Sequence, residues 1–147
     1  MKKYHLGGFT VIPLKAPHGD CPNFAYHITL PDGQTLLFAT DLETFPYNLK
    51  DCNHICIEAN FSDEIRIDAM LNGAELRAQS RNHMEIGETI RTIKRLKSSE
   101  LQSVVLLHLS DSLSDAGGFK KRIFNECGVN AEVAEKNSVF SLAKADF

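Results

Sequence analysis

Three short apolar runs in this chain each break at a side chain able to hold a proton or a metal ion. Leu36-Leu37-Phe38-Ala39 leads into Thr40-Asp41, Ile55-Cys56-Ile57 into Glu58, and Val104-Val105-Leu106-Leu107 into His108. Short apolar runs bounded by turn residues read as buried strands. A carboxylate or imidazole at the mouth of such a strand is solvated, paired or bound to a metal, because an unpaired buried charge is costly. Taken alone, Asp41 also reads as a helix N-cap or a loop residue. Strand ends on one edge of a sheet converge in space, which is how α/β proteins build sites. The repeated pattern therefore favours an α/β fold with these residues on one edge.

The rest of the chain fits that frame. Phe9 to Leu14 is β-branched and aromatic and reads as a first strand. A loop with two prolines, a glycine and His18 follows. Phe24 to Leu30 alternates large apolar residues with smaller or polar ones, a half-buried strand on which His27 falls to the polar, surface side. Pro31-Asp32-Gly33 turns this strand back into Thr35–Ala39 as a hairpin. Ser62 to Leu71 predicts a helix with Ser62 as N-cap and with Ile65 and Ala69 on one face. From Met84 the spacing of Ile86, Ile90 and Ile93 predicts an amphipathic helix, with Lys94, Arg95 and Lys97 suited to its C-terminal dipole. His83 stands at its start. Val104–Leu107 is apolar throughout and reads as buried on both faces. Ser114 starts a last helix that runs to Cys127 and stops at Gly128. Weaker strands are expected at Ala131–Val133 and Val139–Leu142. The order, β-rich first and then alternating, predicts one domain over residues 1–147: a mixed sheet with helices on one face.

Composition narrows the class. At 147 residues, 43% of them hydrophobic and 24% charged, the chain can bury a real core. A net charge of −3 argues against a general affinity for nucleic-acid backbone, although a local basic patch stays compatible with it. No apolar run approaches the ~20 residues that span a bilayer. Of the four cysteines, Cys52 and Cys56 flank His54, but no second Cys/His pair stands at zinc-knuckle spacing, and Cys56 lies inside an apolar run. Idle thiols in a reducing, cytoplasmic compartment are the expectation.

Two histidines and an aspartate at strand ends match metal ligation by imidazole and carboxylate. In this arrangement the chain resembles the metallo-β-lactamase fold superfamily, over roughly Phe9 to Leu142. Pro13 to His18, within PLKAPHGDCPNFAYHI, resembles its third metal motif, LLFATDLE the fourth, and VVLLHLSDSLSD the fifth. The likeness is to small bacterial and phage hydrolases of this fold. It implies half of an αββα sandwich, with His18, Asp41 and His108 as metal ligands and Asp41 bridging two metals, zinc or else manganese or iron. IEANF, followed by NHMEIGET, is similar to the arrangement in ribonuclease Z and related phosphodiesterases. By that resemblance Glu58 orients His83, which donates a proton to the leaving oxygen. The physics agrees, because a neighbouring carboxylate favours the protonated imidazole that a general acid requires. Glu58 also reads as a buried glutamate paired with a Lys or Arg.

The superfamily's His-x-His-x-Asp-His motif is absent from these 147 residues. The resemblance implies that the chain corresponds to the C-terminal lobe, truncated relative to the whole fold, with an apolar sheet face that the first lobe would cover. Two classes of function follow. One is a metal-dependent hydrolase of the phosphodiesterase or nuclease kind, acting on a phosphodiester, nucleotide or nucleic acid and completed by an N-terminal polypeptide or by further copies in a homo-oligomer. The other is a non-catalytic remnant or partner-binding module of the same fold.

Overall fold

A computed structural model describes residues 2–74 and 82–142. Seven strands form one sheet in sequence order. They are β1 (Tyr4–Leu6), β2 (Phe9–Ala16), β3 (Asn23–Thr29), β4 (Thr35–Ala39), β5 (His54–Glu58), β6 (Ser103–Leu107) and β7 (Ala131–Val133). The first four pair antiparallel through short connections. From β4 onward the pairing is parallel. That change follows from the crossovers, since parallel neighbours need a long connection while antiparallel ones need only a turn. The helices are α1 (Asp63–Leu71), α2 (Ile86–Leu96) and α3 (Ala116–Cys127).

The β3–β4 turn works as its residues require. Gly33 takes φ of 88°, and the Asp32 carboxylate accepts from the Gln34 backbone at 3.0 Å and from its side chain at 2.6 Å. In α2 the buried Ile86, Ile90, Ile93 and Leu96 form one stripe, and the helix packs on β5 and α3. Truncating Ile90 or Ile93 to alanine removes packed core and costs about 2–5 kcal/mol. Glu85 caps α2 by accepting from the Gly87 amide. Gly128, at φ 65°, ends α3 in the left-handed conformation that glycine adopts without strain.

Register decides which side of the sheet each residue faces. Leu14, Ala25, Leu37, Ile55, Ile57, Val104 and Leu106 lie on the side packed against α2 and α3. The opposite side carries the row Pro13, Tyr26, Phe38, Cys56 and Val105. The large apolar residues of β3 therefore face away from the helices, and the smaller set, with His27, faces toward them. His27 is a correction to its expected surface position: it is half-buried, its Nε2 has no hydrogen-bond partner, and burial lowers its pKa. Alternation separates two faces of a strand, but it does not say which one the helices cover.

Other differences are local. β1 goes beyond the strands expected from the sequence, since three exposed residues before Gly7-Gly8 carry little apolar signal. Residues 139–142 are not a strand, and Val139 stands 93% exposed. The N-cap position of α3 is Asp115 rather than Ser114, whose hydroxyl donates instead to the Ser110 carbonyl at 2.6 Å. Ser62 sits at the N-cap of α1 without a side-chain cap bond. Among the described residues no helix is long and apolar enough to cross a membrane.

Candidate metal centre

The C-terminal ends of β4, β5 and β6 supply Asp41, Glu58 and His108. The loop after β2 supplies His18, and the segment before α2 supplies His83. Asp41 and His108 both take left-handed backbone conformations, φ 55° and 56°. Such φ values are uncommon for residues with a Cβ and are maintained by surrounding bonds. Here the bonds are explicit. The Asn23 side-chain amide donates to the carbonyls of Thr40, at 3.0 Å, and of Asp41. Asn60 donates its side-chain amide to the His108 carbonyl at 2.7 Å. The turns that aim both side chains off the sheet edge are pinned by asparagines on neighbouring elements.

Glu58 is fully buried, and both its carboxylate oxygens are satisfied. Oε2 accepts from the Leu42 amide at 2.8 Å, and Oε1 accepts from His83 Nδ1 at 2.7 Å. Because a carboxylate only accepts, the His83 proton must sit on Nδ1, which leaves Nε2 free. The same oxygen lies 3.2 Å from His108 Nδ1, and that nitrogen is 3.5 Å from Asp41 Oδ1. His18 follows the same logic: Nδ1 donates to the Asn82 carbonyl at 2.9 Å, so its Nε2 is free as well. Gly19 is needed for that approach. Its φ is 54°, and a Cβ there would stand 2.5 Å from the Asn82 side-chain nitrogen. Its amide also donates to Glu43 at 2.8 Å.

The three imidazoles are stacked edge to face, His83 lying 5.0 Å from His18 and 4.9 Å from His108 between ring centroids. Two overlapping groups have ligand atoms within 4.8 Å of one another: His18, Asp41 and His83, and Glu58, His83 and His108. The structure thus brings all five sequence-derived residues together, and it adds His83 to the set within reach of a cation. Nitrogen and carboxylate donors, with a buried carboxylate holding an imidazole tautomer from behind, suit a divalent ion of the zinc, manganese or iron kind. The donor set fits such an ion. The cysteines stand outside it: burial pushes the Cys52 and Cys56 thiols up to about 11, helped at Cys52 by the Asp51 charge. Asn23, Asn60 and Asn82 are not singled out in the sequence reading, although all three lie inside the quoted motif segments. Clefts of about 380 Å³ beside His18 and about 470 Å³ beside His108 flank the cluster.

Solved structures place this architecture. The metallo-β-lactamase fold protein YhfI from Bacillus subtilis superposes with a TM-score of 0.65 at 19% identity, covering 91% of this chain and 50% of that one. The fold is that of the metallo-β-lactamases. A diphosphatase of the PhnP family matches at 0.59 and 13% identity, covering 90% of this chain and 43% of its own. The short form of human tRNase Z matches at 0.58 and 15%, covering 96% and 46%. The chain spans about half the length of the metallo-β-lactamase-fold structures that it matches. No family model matches the chain, and no curated protein matches it in sequence.

Proposed function

We propose that this chain is the C-terminal lobe of a metal-dependent hydrolase that cleaves phosphodiester or nucleotide bonds. The observation that carries the reading is the Glu58–His83 pair, held at 2.7 Å, with His83 shared between two groups of candidate ligands, one with His18 and Asp41 and the other with Glu58 and His108. Asp41, His18 and His108 would hold the metal, which would supply Lewis acidity and a water of lowered pKa. Glu58 fixes the His83 ring by accepting from its Nδ1. His83, through Nε2, would then protonate a leaving oxygen. The diphosphatase and the tRNase Z among the solved structures support this choice of substrate class.

The described residues offer about one metal's worth of donors, short of two complete sets of three or four. In this reading the remaining ligands come from outside these residues, from an N-terminal polypeptide or from another copy. The test is hydrolysis of a generic phosphodiester such as bis(p-nitrophenyl) phosphate by the metal-loaded chain, compared with His83→Ala. A rate above the metal-only blank that falls in the variant while metal content holds supports the assignment, and a rate above that blank that is equal in both proteins refutes it. The second reading, a non-catalytic partner-binding module, draws on the uncovered apolar side of the sheet.

A further inference from the structure

The helix layer, on the opposite side of the sheet from Tyr26 and Phe38, is basic although the chain as a whole is acidic. α2 carries Arg91, Lys94 and Arg95, with Lys97 at its C-cap. α3 carries Lys120, Lys121 and Arg122 in succession. Against these seven cations the two helices hold two carboxylates, Glu88 and Glu126, while the chain has a net charge of −3. α2 and α3 each return the chain between parallel strands, so they lie side by side and run in one direction. Both carboxylates are engaged. Glu88 pairs with Arg91 at 2.8 Å, and Glu126 pairs with Lys94 at 3.0 Å and lies 3.7 Å from Arg122. Glu85 and Asp115 stand at the N-caps, the first bonded to the Gly87 amide and the second lying against Gly118. Arg95 donates to the carbonyls of Phe45 and Tyr47, and Lys97 to that of Cys127, which leaves both charges uncancelled. Among the described residues Lys120 and Lys121 make no ion pair.

Phe124 decides which polyanion suits this surface. It is 55% exposed and stands one turn after Lys120 and Lys121, at i+4 and i+3, so the three side chains share a face of α3. The helix buries Phe119, Ile123 and Cys127 instead. A ring open to water among cations is suited to unpaired bases, because every base has a π-face and stacking on it tolerates any sequence. A duplex keeps those faces inside its own stack. A lipid surface takes up a wide apolar stripe beside the cations, and the stripe of α3 is turned into the core. We propose that the outer surface of α2 and α3 binds a single-stranded nucleic acid, with Lys120 and Lys121 on phosphates and Phe124 against a base. The acidity of the whole chain does not oppose this, because attraction follows the local arrangement of charge. The proposal rests on the helix surface alone and is independent of the catalytic reading.

The test is fluorescence anisotropy of a labelled oligouridylate titrated with the purified chain in EDTA, so that no metal-dependent cleavage intervenes. Binding is expected at about 50 mM salt and weakens roughly 20- to 50-fold by about 200 mM, the response of about three or four phosphate contacts on a single strand. Lys120→Ala with Lys121→Ala lowers the affinity roughly tenfold and flattens the salt response. The circular dichroism of the fold is retained, because alanine favours helix. Phe124→Ala lowers the affinity roughly 5- to 100-fold and leaves the salt response in place. Lys2→Ala with Lys3→Ala, beside β1 at the far edge of the sheet, removes the same charge and leaves binding unaltered. No anisotropy change at low salt, an equal loss in the Lys2 and Lys3 variant, binding that ignores Phe124→Ala, or a duplex held as tightly as the single strand would each overturn the proposal. Capture of the chain by anionic lipid vesicles, with no response to the oligouridylate, would assign the surface to a membrane and overturn it as well.

Discussion

Glu58 and His83 lie 25 positions apart in sequence, yet their side chains meet at 2.7 Å, with the carboxylate fully buried. The contact depends on both ends being fixed. The Leu42 amide holds the second Glu58 oxygen, and the Thr89 hydroxyl at the start of α2 donates to the Glu58 carbonyl at 2.7 Å. The helix that carries the His83 segment is thereby tied to the strand that carries Glu58.

Glu58→Ala therefore leaves the Leu42 amide and His83 Nδ1 without their acceptor. An unsatisfied buried donor costs about 1–3 kcal/mol, so the expected result is a clear fall in thermal midpoint by calorimetry. Glu58→Gln keeps an acceptor for one of the two and loses less.

His83→Ala separates two roles that the geometry allows. As a general acid, its loss slows phosphodiester cleavage roughly 10²–10⁴-fold while zinc affinity measured by calorimetric titration stays within a few-fold. Asp41→Ala and His108→Ala instead abolish zinc binding. Loss of zinc in His83→Ala would reassign His83 as a ligand.

Acid lowers stability through His27 and His54. Burial depresses both pKa values, and the Asp32 charge partly offsets this at His54. The folded state thus binds fewer protons than the unfolded chain below the ordinary histidine pKa. Their contribution is full above about pH 6.5 and is lost as pH falls from there through the depressed folded values. Urea midpoints between pH 7.5 and 5 should drop, with a shallower drop in His27→Leu. Equal slopes in the two proteins would refute the His27 contribution.

Gly19→Ala forces a Cβ into left-handed backbone and against Asn82, whose carbonyl holds the His18 tautomer. A cost of about 1–2 kcal/mol is expected in urea unfolding, together with weaker zinc binding. Unchanged zinc affinity would show that His18 does not depend on this contact.

Much of the architecture is legible in the chain because apolar runs and their terminating residues carry it. Leu36–Ala39, Ile55–Ile57 and Val104–Leu107 announce the central strands, and Ile86, Ile90 and Ile93 announce α2. The convergence of Asp41, Glu58 and His108 follows from parallel strands ending on one edge. What the chain does not announce is set by tertiary context. The side of β3 that carries His27 packs toward the helices because the longer aromatic residues point the other way, a choice that periodicity leaves open. The left-handed turns at Asp41 and His108 depend on amides from Asn23 and Asn60 that are distant in sequence. β1 exists by pairing with β2 rather than by its own propensity.

The most direct measurement is the metal content of the purified chain after dialysis against zinc, by elemental analysis, beside Asp41→Ala. The site described here predicts near-stoichiometric zinc in the natural sequence and its loss in the variant. A chain that retains no zinc, or a variant that retains as much, would contradict it.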